Sequence, residues 1–181
     1  PGTITTGQPR MVDLIASEPA FEGVLPEVHE ALAALARTDP NPNLTLSAIL
    51  AAHPEDPAWT PSNVVAFSSS RRWGGATFAG RGSWVLGAPD VLRPGVALPA
   101  AGEGLRVVSI GRTPDALDIE SVPRVEVVAY VLLAEQVRPT APATLAYLRD
   151  QDIRVKVFSG DHPETVANVV RSAGVEVRGS R

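Results

Sequence analysis

Hydrophobic side chains recur at helical spacing in a segment that runs from residue 23 to residue 37. The apolar positions are Leu25, Val28, Leu32 and Leu35, with alanines between them. A period of three to four residues places these side chains on one side of a helix. A Thr-Asp-Pro-Asn-Pro stretch at 38–42 would end that helix, and a second apolar segment, Leu44–Ala52, stops before a His-Pro pair. These two segments predict a helical hairpin.

Segments rich in Val, Ile, Phe and Trp follow the hairpin and are separated by Gly or Pro turns. The predicted strands are Asn63–Ser68, Gly75–Ala79, Ser83–Leu86, Gly104–Ile110 and Val122–Leu133. An earlier segment, Arg10–Ala16, alternates apolar and polar residues as a strand does. Connections this short join antiparallel strands. We therefore expect an α+β unit with an antiparallel sheet of about six strands, packed with the helical hairpin.

The pattern changes after Pro139 to alternating helix and strand. The predicted elements are a helix at Pro142–Asp150, a buried strand at Arg154–Phe158, a helix at Pro163–Ala173 and a strand at Val175–Val177. Such alternation is typical of a parallel, Rossmann-like α/β unit. The chain would then divide into a polar Thr/Gly segment (1–9), an α+β domain (10–133) and a partial α/β domain (134–181).

Composition narrows the possible functions. The net charge of -4 and the dispersed basic residues argue against nucleic-acid binding. There are no cysteines, and the three histidines lack the spacing of a metal site, so we expect no metal bound by protein side chains alone. The longest apolar run, 127–134, is far shorter than the roughly 20 residues that cross a bilayer. The chain as it stands is expected to be a soluble monomer.

The sequence Ser159-Gly160-Asp161 stands between a predicted strand and a predicted helix. In a parallel sheet, phosphate-type ligands bind where strands end and helices begin. Asp161 could hold Mg²⁺ there, or it could simply cap the helix that starts near Pro163. Arg138, in the loop before the preceding helix, could pair with a phosphate or remain a solvated surface residue.

Two other segments could form a nucleotide pocket. Phe67 leaves a strand and is followed by serines, two arginines and two glycines. An aromatic ring beside cations suits a base and its phosphates, although a core Phe followed by a basic hairpin turn gives the same pattern. Gly87 and Ala88 end another strand and would leave room for a flat ring, or simply form a strand-to-helix turn. The chain contains neither GxxxxGK[ST] nor GxGxxG after a strand.

Taken in order, these segments resemble the P-type cation-transporting ATPases along nearly the whole chain. The matching stretches are Gly2–Gly7 (GTITTG, the end of the DKTGT-type signature), Phe67–Arg72 (FSSSRR), Leu86–Asp90 (LGAPD, against KGAPE), Gln136–Pro139 (QVRP, against the DPxRP hinge) and Ser159–Asp161 (SGD, against TGD). The chain is thus identified as a nucleotide-binding domain with part of a phosphorylation domain, the latter being haloacid-dehalogenase-like. Residues 1–9 would be a remnant of the phosphorylation-domain strand and hinge.

The resemblance implies a role for each matching residue. Phe67 would stack on adenine in a pocket lined by Leu86, Gly87 and Ala88. Ser69, Arg72, Arg106 and Arg138 would complete the nucleotide site, with Arg72 and Arg106 near the phosphates and Arg138 at the hinge. Ser159, Gly160 and Asp161 would form the phosphate and Mg²⁺ loop, with Thr3 near the transferred phosphate. The phosphorylated Asp would lie just upstream of Pro1, so the chain would bind Mg·ATP without completing catalysis.

Several departures from the family pattern weaken the expected ATP site. Leu86 replaces the usual pocket lysine, and Thr45 and Leu46 stand where an acidic GDPTE-type segment is usual. We therefore expect weak ATP binding that depends on stacking and pocket shape. The segments around Phe67 and Leu86 resemble the bacterial type-E branch, which is associated with calcium transport.

The resemblance also implies partners. They would be ATP and the remaining phosphorylation, actuator and transmembrane domains of a multi-pass protein of the cell membrane, with this domain on the cytoplasmic side. Two alternatives stay open at this point: a fragment of a haloacid-dehalogenase-type phosphohydrolase, and a non-catalytic α+β interaction domain.

Overall fold

The structure, a computed structural model, describes residues 2–99, 105–158 and 163–175. Its centre is one antiparallel sheet of six strands in the order β1-β6-β5-β4-β3-β2. The strands are β1 (Thr5–Ala16), β2 (Pro61–Ser68), β3 (Trp73–Phe78), β4 (Gly82–Gly87), β5 (Arg106–Thr113) and β6 (Glu126–Val137). The predicted fold class is confirmed. Each of the six strands predicted for the α+β domain is present, most of them longer than expected because pairing extends into flanking residues of low strand propensity.

The helices also follow the sequence pattern. A short 3-10 helix, Pro19–Val24, leads into α1 (Leu25–Ala36) and α2 (Leu44–Ala52); then come α3 (Pro89–Leu92), α4 (Ala141–Asp150) and α5 (Pro163–Ser172). Asn43 caps α2, its side-chain oxygen accepting the N–H of Leu46 at 3.0 Å. The predicted hairpin of α1 and α2 is therefore confirmed.

The two faces of the sheet carry separate apolar clusters. The helix face is covered by α1 and α2, with Leu32 and Ile49 packing on Trp84 and Ile110 within one buried cluster. The loop face carries a second cluster that includes Trp73, Val85, Leu92, Leu117 and Leu132. Side chains alternate between faces along each strand. The sheet is buried on both sides, which explains why β4 and β6 read as nearly continuous apolar runs.

Two histidines form a contact between the two helices of the hairpin. His29 of α1 and His53 at the end of α2 lie 2.8 Å apart, Nδ1 to Nε2. Nδ1 of His53 faces the carbonyl oxygen of Ile49 at 2.9 Å and must donate to it. In the neutral pair His53 Nε2 is therefore the acceptor and His29 Nδ1 the donor. Burial, and next the charge of His53, lower the pKa of His29 from its usual value of 6.5.

The predicted buried strand at Arg154–Phe158 is wrong. Residues 153–158 have no regular structure, and Ile153, Val155 and Phe158 are exposed, Phe158 to 90%. A strand needs a neighbour for its N–H and C=O groups, and no described strand pairs with this segment. Val175 also lies outside any element, and the rest of the predicted strand at 175–177 lies outside the described residues.

Both predicted domain boundaries fall inside a strand. β1 crosses the boundary at 9/10 and β6 crosses the boundary at 133/134. These two strands are paired, with Thr5 opposite Val137 and Leu14 opposite Val131. The N-terminal strand β1 and the strand β6, which are far apart in sequence, are therefore paired at one edge of the sheet.

Candidate functional site

Phe67 lies at the end of β2, where the strand passes close over a glycine of β3. A Cβ built on Gly74 would lie 2.7 Å from the Phe67 nitrogen and 2.8 Å from its Cα. Only glycine permits backbone to approach this closely. Phe67 remains 44% exposed, so an accessible aromatic residue stands beside β3.

Leu86 of β4 lies next to this crossing. It pairs with Gly74 on one side and with Ile110 on the other. Directly paired residues share a face of the sheet, so all three belong to the helix face. Leu86 is buried in the cluster on that face. The position where the family has a lysine is thus an apolar wall.

Ala88 and Val108 extend the same face by one step. Each lies two residues along the chain from Leu86 or Ile110, and the backbone at Ala88 is still extended. The Ala88 N–H donates to the carbonyl oxygen of Arg72 at 2.9 Å. Both side chains are partly exposed. Phe67, Leu86, Ala88 and Val108 therefore form a mainly apolar surface, which we call the base surface.

The expected contribution of Gly87 needs correction. Gly87 alternates with Leu86 and so points to the loop face, where a Cβ would lie 2.7 Å from Cβ of Trp73 and 3.2 Å from Cδ1 of Leu92. The space beside Gly87 that was predicted to hold a flat ring is filled by the side chains of Trp73 and Leu92. Phe67 and Gly87 also lie on β2 and β4, with β3 between them. Gly87 can offer the helix face only its backbone.

Arg106 begins β5 on the helix face. It pairs with Leu133, and its Nη2 lies 3.6 Å from Oε1 of Glu135, two residues further along β6. The Arg106 side chain is 46% exposed and that of Glu135 only 13%. A cation thus stands at the end of the face that carries the base surface, and its neighbour is a largely buried carboxylate.

Arg72 is engaged in an ion pair. Its guanidinium donates to both carboxylate oxygens of Asp90, at 2.6 and 2.9 Å. The hydrogen bond from Arg72 holds the pKa of Asp90 below its usual value. Ser69 lies exposed in the turn between β2 and β3. The structure thus brings Arg72 beside Ala88, but with its charge already matched.

Arg138 joins the two ends of the sheet edge. Its Nη2 and Nε donate to the carbonyl oxygen of Gly2, at 2.8 and 3.2 Å, and its N–H donates to the carbonyl oxygen of Ile4 at 2.8 Å. Thr3, exposed between them, is therefore held next to Arg138. The start of the chain and the QVRP segment meet in space, although 136 positions separate Gly2 from Arg138.

The predicted phosphate loop, Ser159, Gly160 and Asp161, lies outside the described residues. Within the described ranges, no group of three or more His, Cys, Asp or Glu residues could hold a metal ion. No helix in the same ranges is long and apolar enough to cross a bilayer.

Two residues that shape this region have no role predicted from the sequence: Asp90 neutralises Arg72, and Glu135 lies beside Arg106. The glycines at 74 and 75 did indicate close backbone approach, and Gly74 admits the backbone of Phe67. Asp90 and Glu135 carried no signal, because each acts on a residue distant in sequence.

The chain is similar in sequence to one protein family and to several individual proteins. The family model of haloacid dehalogenase-like hydrolases matches residues 2–179. The calcium-transporting ATPase CtpE of Mycolicibacterium smegmatis is 36% identical over 182 residues, which cover 96% of this chain and 22% of that protein. The probable cation-transporting ATPase exp7 of Streptococcus pneumoniae is 31% identical, over 96% of this chain and 23% of its own length. The chain thus spans less than a quarter of these relatives.

Solved structures agree on the fold. A zinc-transporting PIB-type ATPase in its E2·Pi state matches with a TM-score of 0.64 at 19% identity, over 97% of this chain and 27% of that one. The catalytic domain of the CPx-ATPase CopB-B matches with a TM-score of 0.57 at 12% identity, over 97% and 55%. These matches support the fold, and the sequence relatives confirm the resemblance to P-type ATPases. The chain belongs to the haloacid dehalogenase-like hydrolase family, and along nearly its whole length it is similar to part of P-type cation-transporting ATPases.

Proposed function

We propose that this chain binds the adenine end of Mg·ATP on the helix face of its sheet and presents the phosphates toward the hinge. The observation that supports this most is the crossing at Gly74, which sets the exposed Phe67 beside Leu86. Arg106 lies on the same face. An aromatic residue, an apolar wall and a cation on one face suit a purine nucleotide.

Adenine would stack on Phe67 and rest against Leu86 and Ala88. Stacking itself does not depend on which base is present, because every base has a π-face. The buried Leu86 offers contact area but no charge, so affinity should depend on stacking and shape. Gly87 would contribute only backbone groups, and the exposed Ser69 could add a hydrogen bond from the neighbouring turn.

The phosphates would extend toward Arg106 and the Arg138–Thr3 hinge. Phosphoryl transfer depends mainly on placement and charge neutralisation, and these residues can supply both. Mg²⁺ would arrive with the nucleotide, since the described residues offer no site of their own. Asp161, with Ser159 and Gly160, would complete the Mg²⁺ site in the whole protein.

For the parent protein we propose a membrane P-type ATPase that moves a cation through an aspartyl-phosphate intermediate. The calcium-transporting relative favours Ca²⁺ as that cation. Residues 10–133 would be the nucleotide-binding domain and 134–181 part of the phosphorylation domain. The chain alone would bind Mg·ATP without turning it over, and its partners would be the phosphorylation, actuator and transmembrane domains.

Calorimetric titration of the chain with Mg·ATP and with adenosine tests the proposal. Phe67→Ala should weaken both ligands by roughly 1–3 kcal/mol, the range found for stacked bases. Val64→Ala is a matched control, because Val64 lies on the same strand with a similar exposure of 42%. It should leave both affinities unchanged.

Two outcomes would contradict the proposal. One is the absence of any heat or amide NMR shift up to several millimolar Mg·ATP. The other is equal loss of affinity in the Phe67 and Val64 variants. A domain that only binds other proteins would also show no nucleotide effect on its melting temperature, whereas ligand at 100 times its dissociation constant adds about 2.7 kcal/mol.

A further inference from the structure

Glu135 carries a carboxylate that the protein almost encloses. Its side chain is 13% exposed, and Oε2 is buried without a hydrogen-bond donor among the described residues. Oε1 lies 3.6 Å from Nη2 of Arg106, which is longer than a hydrogen bond. An ionised carboxylate removed from water is costly unless a positive charge compensates it. Arg106 provides that compensation without a hydrogen bond.

The register of β5 and β6 fixes this arrangement. Arg106 is opposite Leu133, and Glu135 follows two residues later on the same face. Arg106 is nevertheless 46% exposed. Its guanidinium has five N–H donors in a rigid plane, so it can meet an incoming anion from solvent while Glu135 stays beside it.

We propose that Glu135 is an affinity-setting residue of the phosphate site, where the negative charge of its carboxylate opposes the binding of the nucleotide's phosphates to Arg106. The inference rests on the proposed function, because it takes Arg106 as a phosphate contact. Since no hydrogen bond joins the pair, Glu135 contributes charge and does not orient the guanidinium. Its negative charge offsets that of Arg106 and opposes each phosphate charge brought near. The binding free energy lost to this repulsion therefore grows with the number of phosphates, and binding of the base is unaffected.

Titration of Glu135→Gln with adenosine, AMP, ADP and ATP, each with Mg²⁺, tests this. The substitution keeps the shape of the side chain and removes its charge. ATP should bind about two- to fivefold more tightly, the range for a charge interaction in which one partner is exposed to solvent, AMP should gain less, and adenosine should be unchanged. The gain should shrink as salt is raised, because the phosphates and the half-exposed Arg106 are screened by ions.

Glu126→Gln is the matched control. Glu126 lies on the same strand and bonds Arg112 at 3.0 Å, so its substitution changes the net charge by the same amount. It should leave ATP affinity unchanged. In an Arg106→Gln background, Glu135→Gln should give no further gain in ATP affinity.

The outcomes separate this inference from the proposed function. If the unsubstituted chain binds neither ATP nor adenosine, the proposed function fails. If it binds ATP but Glu135→Gln weakens ATP, or changes adenosine and ATP equally, only the inference is overturned. Should Glu135→Gln not fold, Glu135→Asp retains the charge but withdraws it by one methylene. That variant should show a smaller, ATP-selective gain, and the lack of one overturns the inference.

Discussion

Arg72 and Asp90 are joined by two parallel hydrogen bonds, from Nη1 to Oδ2 at 2.6 Å and from Nη2 to Oδ1 at 2.9 Å. Arg72 precedes β3, and Asp90 lies in the first turn of α3. The pair fastens the β2–β3 turn to the segment that follows β4, beside the base surface. An arginine predicted to meet phosphate is therefore matched by a carboxylate that no sequence pattern linked to it.

Asp90→Asn should release Arg72 for phosphate. Both side chains are more than half exposed, at 52% and 64%, so the loss of the pair should lower the free energy of unfolding by no more than about 1 kcal/mol. If Arg72 contacts the nucleotide, ATP affinity should rise while adenosine affinity stays constant. Urea unfolding and calorimetry measure the two effects, and unchanged ATP affinity would remove Arg72 from the site.

Gly74→Ala should displace β2. Its Cβ would lie 2.7 Å from the Phe67 nitrogen and 3.0 Å from the Val65 carbonyl oxygen, and backbone cannot yield as a flexible side chain does. We expect a loss of about 1–3 kcal/mol in the free energy of unfolding, together with weaker binding of adenosine. Gly23→Ala is the control, since its Cβ would meet nothing within 4 Å. Equal stability of the two variants would contradict the close crossing.

Leu86→Lys restores the charge that the family pattern has at this position. Leu86 is 7% exposed and packs in the helix-face cluster. The substitution should reduce stability by more than 1 kcal/mol, on the order of the cost of burying polar groups, while ATP binds more tightly. Leu86→Met should change neither property much, because volume-conserving swaps are tolerated. Tighter ATP binding by both variants would exclude charge as the cause.

The histidine pair predicts a pH dependence of stability. The pKa of His29 is lower in the folded chain than its unfolded value of 6.5, so the unfolded chain binds more protons as the pH falls below 6.5. Stability that is fully present above pH 6.5 should therefore be lost as the pH falls toward the folded pKa.

Urea unfolding between pH 7.5 and pH 5 measures this loss. His29→Gln should flatten the dependence. His162→Gln, a change at a histidine outside the described residues, should retain it. Identical pH profiles for all three proteins would refute a role of the His29–His53 pair in this pH dependence.

Much of the fold was determined by local sequence pattern. The 3.6-residue period of the hairpin and the short turns between apolar runs predicted α1, α2 and the antiparallel strands. These features depend on neighbours a few residues apart, so a single sequence contains them. The same holds for Pro163, which begins α5 where the pattern placed it.

Longer-range pairing decided what the pattern could not. Residues 154–158 have a strand-like composition, but a strand also requires a partner, and no described strand provides one. The strand order places β3 between Phe67 and Gly87. The pocket predicted between these two residues is therefore absent, and Phe67 and Leu86 form a surface instead. The partners of Arg72 and Arg106 arise in the same way, from charges that only the folded sheet brings together.

The sequence by itself thus determined the family, the antiparallel α+β class and the residues from which a nucleotide site could be built. Local periodicity and the order of the motifs are properties of the sequence, so they can be recognised without the tertiary structure. The tertiary structure alone decided which face each residue occupies and which charges are already matched, because both depend on strand register. Register is fixed by burial of both faces of the sheet at once, a condition that no short segment contains.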